Sequence, residues 1–138
     1  MTVKEYLQQA YEINRKIRLD IQKLEAVRAS LYGRTVHYDP GMPSAGTRRN
    51  SIEIAIARVL EYEEQIDSEI DELTMKQQEI EQTIDIISDY SVLHEILTRR
   101  YLLFHSWKQI AQEMNYSERH IRRLHGRALR KLSLNVRF

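Results

Sequence analysis

The chain has no cysteine, and it has only four glycines and two prolines among its 138 residues. Without thiols there is no disulfide and no thiolate metal or redox site, so a reducing interior is the simplest setting. Few glycines and prolines and no strand-rich run favour an all-helical chain. No apolar run approaches the roughly 20 residues that cross a bilayer, and no signal-peptide core is present. We therefore expect a soluble, cytoplasmic, all-α protein.

Catalytic and metal-binding patterns are also missing. No phosphate-loop, nucleophile-elbow or dinucleotide motif occurs. The five histidines lack metal-ligand spacing, because even His120 and His125 would point about 140° apart around a helix. The acidic pairs lie on the outer face of a predicted helix, where carboxylates are usually solvated. The sequence therefore predicts no enzyme, no cofactor and no metal.

Charge divides the chain into three parts. The net charge is +4 over residues 1–50, −10 over residues 51–89 and +7 over residues 90–138, although the whole chain carries only +1. The basic end could meet phosphate, whereas the acidic middle would be repelled by it. This asymmetry indicates two functional parts.

Two long helices are predicted in the first part of the chain. Residues 2–32 show a helical period, with a possible capping box from Thr2 to Glu5 and a plausible stop at Gly33. Residues 51–88 repeat apolar positions at alternating steps of four and three, which is typical of a coiled-coil seam with two polar interruptions. The predicted seam of the first helix comprises Tyr6, Ala10, Ile13, Ile17, Ile21, Leu24, Val27 or Arg28, and Leu31. That of the second comprises Ile52, Ile56, Val59, Glu63, Ile66, Ile70, Leu73, Gln77, Ile80, Ile84 and Ile87.

The segment between these helices reads as a loop. Residues 33–50 contain both prolines and all glycines but one, and we expect them to be mobile. The economical arrangement is a long antiparallel helical hairpin, coiled-coil-like, over residues 1–88. The two helices differ in length, so we expect part of the second to pack against another partner.

Three shorter helices are predicted at residues 92–103, 106–114 and 117–132, in a domain over residues 89–138. Ser106 with Gln109 forms a capping box, and Ser117 is a good N-cap for the last helix. Asn115 tolerates the left-handed backbone of a tight turn. Ile121, Leu124, Ala128 and Leu132 form the inner face of the last helix, and its other positions are rich in arginine. Two capped helices, a tight turn and a basic outer face predict a helix-turn-helix at residues 106–132 that binds double-stranded DNA in the major groove.

The residues of this ending resemble a known family. Residues 101–111 and 116–132 are similar to region 4 of sigma-70 family factors, and the most specific part is Ile121-Arg122-x-Leu124-x-x-Arg127-Ala128-Leu129-Arg130-Lys131-Leu132. The resemblance covers about residues 90–132. The layout of a hairpin followed by this ending also resembles a family of small sigma-like phage and prophage proteins, which regulate phage transcription.

The resemblance implies roles for individual residues. The positions of Glu118, Arg119 and Arg123 approach base edges of the promoter −35 element. The positions of Arg122 and Arg127 lie near phosphates, and that of Ser106 faces the DNA backbone at a helix N-terminus. A further phosphate contact is expected from Arg100 (or Arg99). Trp107 reads as a packing residue.

The resemblance also implies a limit. No sigma region 2 is recognisable, so a complete initiation factor is not expected. Gly126 in mid-helix costs about 1 kcal/mol relative to Ala. The leading hypothesis is therefore a transcriptional regulator that binds promoter DNA, with the hairpin mediating self-association or contact with RNA polymerase. The alternatives are a DNA-packaging recognition subunit, similar to small terminase subunits, and a helical protein-interaction module that no longer binds DNA.

Overall fold

A computed structural model describes residues 1–36 and 45–137. Over these residues the chain is helical and contains no strand, which confirms the predicted all-α class. The elements are α1 (Val3–Val36), α2 (Ala45–Ile84), a 3-10 turn (Asp85–Ile87), α3 (Ser91–Tyr101), α4 (Trp107–Met114) and α5 (Glu118–Asn135).

The predicted loop at residues 33–50 was too long. Helix α1 continues to Val36 and α2 already begins at Ala45. Gly33 does not end α1, because it lies within the helix and has no positive φ. Residues 37–44, which hold both prolines and Gly41, lie outside the described residues. The predicted capping box at the start of α1 is present, with Thr2 N–H donating to Glu5 Oε2 at 2.9 Å and Glu5 N–H to Thr2 Oγ1 at 3.2 Å.

Two compact units divide the chain, and both long helices contribute to each of them. One unit is Arg15–Asp71, and the other joins Met1–Asn14 to Glu72–Phe138. The functional division predicted at residues 88 and 89 stays a prediction. Packing places residues 1–14 and 72–88 with the C-terminal helices.

The Arg15–Asp71 unit is a pair of antiparallel helices. Lys16 pairs with Glu69 and Arg28 with Glu63, so residue numbers increase along one helix in the direction in which they decrease along the other. Ile17, Leu24, Ala55 and Ile66 are buried between them.

The seam of this pair differs from the predicted one at three isoleucines. Ile21, Ile56 and Ile70 are 37%, 45% and 45% exposed, whereas the residue just before each of them is buried: Asp20 at 6%, Ala55 at 8% and Glu69 at 3%. The buried positions still alternate at steps of three and four residues. In one of the two rows of the seam, however, each buried residue is the one just before the predicted residue. Small Ala55 suits close helix approach, and Glu69 is compensated by Lys16 at 3.3 Å and by a hydrogen bond from Gln65 at 2.9 Å.

The other unit contains the core that holds the C-terminal helices. Its buried residues come from all five helices and from the 3-10 turn. They are Val3, Leu7, Ala10, Ile80, Ile84, Ile87, Leu93, Ile96, Leu97, Tyr101, Ile110, Ala111, Ile121, Leu124, Ala128 and Leu132. In the described part of the chain, no helix is both long and apolar enough to cross a membrane.

Candidate nucleic-acid interface

Two helices joined by a tight turn make up the predicted helix-turn-helix. Ser106 caps α4, since its Oγ accepts a hydrogen bond from the Gln109 N–H at 3.1 Å. The capping box expected there is half formed, because the Gln109 side chain contacts Glu113 rather than returning to Ser106. Asn115 ends α4 in the left-handed conformation, with φ 58° and ψ 41°, as the turn requires. Ser117 caps α5 through the His120 N–H at 3.1 Å.

The turn before α4 uses a second left-handed residue. Phe104 has φ 58°, which is uncommon for an aromatic residue. Hydrogen bonds from Leu103 N–H to the Thr98 carbonyl at 3.1 Å and from His105 N–H to the Arg99 carbonyl at 2.9 Å close the end of α3 around it. This turn ends α3 at Tyr101, two residues before the predicted end, and directs the chain into α4.

The first turns of α5 carry the predicted base-contacting residues. Glu118, Arg119 and Arg123 are all exposed. Arg119 and Arg123 are four residues apart, and Arg127 follows after four more, so the three arginines form one row along the helix. The opposite face holds the buried Ile121, Leu124, Ala128 and Leu132, as predicted. Arg119 and Arg123 are therefore brought together on one exposed face, whereas Glu118, five residues before Arg123, is exposed about 140° around the helix from it.

The predicted phosphate-contacting residues divide into two groups. Arg127 lies on the exposed row of α5. Ser106, Arg100 and Arg122 gather instead around the start of α4, where Arg100 is half-buried and Arg122 is exposed. Arg100 also donates to the His105 carbonyl at 3.0 Å, which fixes its side chain in place.

The five arginines of α5 have no acidic partner among the ion pairs of the described residues. Arg99 is different, because it pairs with both Glu95 and Glu113. The hydrogen bond that Arg99 donates to Glu95 is the main cause that raises the pKa of Arg99. Of the two candidates before Tyr101, Arg100 is thus the one whose charge no carboxylate offsets.

Trp107, the first residue of α4, connects α3, α4 and α5. The guanidinium carbons of Arg100 and Arg122 lie over its ring, 4.4 and 5.4 Å from the centroid. The ring also meets His125 edge-on, with centroids 4.7 Å apart. The predicted packing role of Trp107 is observed, and the convergence of two cations on it was not foreseen.

A buried polar pair supports this cluster. Tyr101 of α3 and His125 of α5 share a hydrogen bond between the phenol oxygen and Nε2, 2.6 Å long. Burial raises the pKa of Tyr101 to about 12. Burial, and then the charges of Lys4, Arg100 and Arg122, lower the pKa of His125 from 6.5 to about 4. The imidazole is therefore neutral near pH 7, within a positive potential.

His125 is the principal residue of this region that the sequence reasoning missed. It follows Ile121 by four positions and precedes Ala128 by three, so the helical period itself places it on the buried face. The predicted inner face of this helix did not include His125. No group of three or more His, Asp or Glu residues in the described ranges is arranged to hold a metal ion.

Comparisons with known proteins bear on this region alone. Residues 93–133 match the family described as Sigma-70, region 4. Searches of curated proteins and of solved structures gave no match. The matched segment spans most of α3, all of α4 and α5 as far as Ser133. The C-terminal helices of this chain thus form a sigma-70 region 4-like helix-turn-helix, a DNA-binding domain.

Proposed function

We propose that the protein is a sequence-specific transcription regulator that reads a promoter element with α5. The observation that carries this proposal is the exposed face of α5, where Arg119 and Arg123 lie in one row and no described carboxylate pairs with them. Glu118 is exposed in the first turn of the same helix. Arginine presents forked donors that fit a guanine edge, and a row of unpaired guanidinium groups favours DNA over a purely solvated role. Such a regulator works in the cytoplasm, as the sequence predicts.

The helix-turn-helix suggests which residues contact the bases of DNA and which contact its phosphates. The first turns of α5 would enter the major groove with Glu118, Arg119 and Arg123 towards base edges. Arg127, Arg122, Arg100 and the start of α4 at Ser106 would hold the phosphates, which fixes the register of α5 without carrying sequence information. The likeness of the whole layout to small sigma-like phage regulators supports an origin in a phage or prophage.

Selection of duplexes from a random pool tests the proposal. We expect one enriched sequence, and an affinity whose logarithm falls linearly with the logarithm of salt concentration.

Arg123→Ala should cost about 1–3 kcal/mol of binding free energy on the selected duplex and relax the sequence preference, whereas Arg127→Ala should weaken binding to every duplex alike. No salt-sensitive binding at low ionic strength would contradict both the regulator and the DNA-packaging alternative. Equal losses for both variants on selected and random DNA would contradict the assigned roles.

We propose RNA polymerase as a second partner, because the C-terminal helices match region 4 of the sigma-70 factors, which act together with this enzyme. Co-purification of the full chain with purified core polymerase tests this contact. Activation or repression of a template bearing the selected sequence would then give the sign of regulation. Promoter binding with no effect on transcription, and no retention of polymerase, would contradict the polymerase contact but not DNA binding.

For the antiparallel pair in Arg15–Asp71 we propose self-association with a second copy. This unit exposes Ile56 and Ile70, together with Leu60 at 56%. Its two helical segments also carry opposite charge, +4 over residues 15–36 and −4 over residues 45–71, so two copies could pair with complementary charge.

We expect the mass in solution to fall towards that of a single chain in the double variant Ile56→Ser/Ile70→Ser. Met75→Ser, also at an exposed apolar position (66%), is the matched control. A monomeric natural chain would contradict the proposal, and a ring would favour the packaging alternative.

A further inference from the structure

Two cations from different helices meet at one aromatic ring. Arg100 comes from α3 and Arg122 from α5, and their guanidinium carbons lie 4.4 and 5.4 Å from the centroid of Trp107. The two carbons are therefore at most 9.8 Å apart. An aromatic face attracts guanidinium groups, and it can hold both cations in place although they repel each other.

No carboxylate compensates this pair among the ion pairs of the described residues. Arg99, the immediate neighbour of Arg100, has two acidic partners in Glu95 and Glu113. Carboxylates thus neutralise Arg99, whereas Arg100 lies beside a second cation, Arg122. Two converging cations without an internal anion are expected where the anion comes from a ligand.

The ring itself is held by buried neighbours. The rings of His125 and Trp107 pack edge-to-face with their centroids 4.7 Å apart, and the hydrogen bond of 2.6 Å to Tyr101 holds His125 in turn. His125 is 7% exposed and Tyr101 is 2% exposed. The orientation of the indole is therefore set by the core of the unit before any ligand arrives.

We propose that Trp107 is a positioning residue that presents Arg100 and Arg122 together to one stretch of DNA backbone, so that the three residues act as a single phosphate clamp. The inference rests on the proposed DNA binding. The ligand group is one phosphodiester, or two successive phosphodiesters of the same strand. The clamp lies beside the start of α4 and is separate from the Arg119–Arg123–Arg127 row. It contributes affinity and register on every sequence rather than base preference.

Substitutions of Trp107 separate this role from simple packing. Trp107→Phe keeps an aromatic face, whereas Trp107→Leu keeps an apolar side chain without one. We expect Trp107→Leu to weaken binding to selected and random short duplexes by the same factor, about tenfold, because two arginine side chains that the ring no longer holds must become ordered when DNA binds. Trp107→Phe should recover most of that loss. Thermal unfolding of both variants, followed by circular dichroism, establishes that each remains folded at the assay temperature.

A double-mutant cycle tests whether the three residues act as one device. Arg100→Ala and Arg122→Ala should each reduce the slope of log affinity against log salt by about one in the natural chain. Both should lose less affinity when Trp107 is already Leu. Arg58→Ala is the matched control, because Arg58 also lies over a ring (Tyr62, 5.8 Å) but outside the helix-turn-helix; it should bind DNA normally.

Neutral methylphosphonate linkages, placed one at a time along the duplex, locate the contact. We expect the same linkage, or two adjacent ones, to lose its effect in both Arg100→Ala and Arg122→Ala. Three results would each overturn the clamp while the natural chain still binds DNA. The two arginine variants could respond to linkages on different strands, or Trp107→Leu and Trp107→Phe could bind equally well. The losses of affinity in the double mutants could also equal the sum of the single losses. Failure of the natural chain to bind any duplex would instead overturn the proposed function.

Discussion

Lowering the pH should destabilise the unit that carries the helix-turn-helix through His125. In the folded chain this imidazole is buried beside Tyr101 and Trp107, and burial lowers its pKa to about 4. In the unfolded chain the pKa returns to about 6.5. Below pH 6.5 the unfolded chain therefore binds a proton that the folded chain does not accept, and stability falls as pH falls. The loss begins near pH 6.5 and is complete near pH 4.

The size of this loss follows from the two pKa values. One unit of pKa difference corresponds to about 1.4 kcal/mol, so at pH 5 the linkage amounts to about 1–2 kcal/mol of unfolding free energy. The lower part of that range allows for the 7% of His125 that remains exposed. An effect of this size is a large share of the stability of a small unit.

Urea unfolding between pH 8 and pH 5 measures the effect. Trp107 is the only tryptophan of the chain and contacts His125, so its fluorescence follows the relevant unit. The chain has four other histidines, and Nε2 of one of them, His94, lies 2.8 Å from Asp85 Oδ1. The useful quantity is therefore the difference between the natural chain and His125→Gln, whose amide does not titrate. We expect this difference to shift against the natural chain by about 1–2 kcal/mol from pH 8 to pH 5. A difference independent of pH would refute the view that the fold keeps His125 buried and neutral.

Three further predictions concern the same unit. Gly126→Ala should raise its unfolding free energy by about 1 kcal/mol, because an added Cβ meets nothing within 4 Å and alanine favours a helix; a lower melting temperature would contradict this. Ser117→Ala should lower it by about 1 kcal/mol, because the His120 N–H loses its capping partner, and an unchanged urea midpoint would disprove the contribution of the cap. A fragment of residues 89–138 should show reduced helical circular dichroism and no cooperative melting, whereas a cooperative transition like that of the full chain would show that the fragment folds alone. It lacks six buried core residues: Val3, Leu7, Ala10, Ile80, Ile84 and Ile87.

Local signals in the sequence were strong enough to predict the helix-turn-helix in detail. Capping serines at 106 and 117 and an asparagine in the left-handed turn act through their own backbone neighbours, so no distant partner is needed to interpret them. The buried face of α5 follows from helical periodicity alone. The position of Arg100 over Trp107 could not be predicted in the same way, because it depends on how three helices cross.

The seam of the long helices shows where periodicity reaches its limit. Val59, Ile66 and Leu73 are at least half-buried, as predicted, since they repeat every seven residues. The second row had two possible positions, one with Ile70 and one with Glu69, and apolar character favoured the isoleucine. Burial of Glu69 depends on Lys16 from the other helix, which a pattern within one helix does not reveal.

The boundary between the two predicted domains illustrates a difference between charge and packing. Charge changes sign near residue 89, and that change reflects which surfaces could meet phosphate. Packing changes near residues 14 and 72, because short helices α3, α4 and α5 bury their apolar faces against the ends of α1 and α2. A helix-turn-helix of this size has little core of its own, so the two long helices supply part of it. The acidic end of α2 therefore lies with the basic helices because its isoleucines are buried there, and α5 keeps its orientation only while the start of α1 and the end of α2 remain in that core.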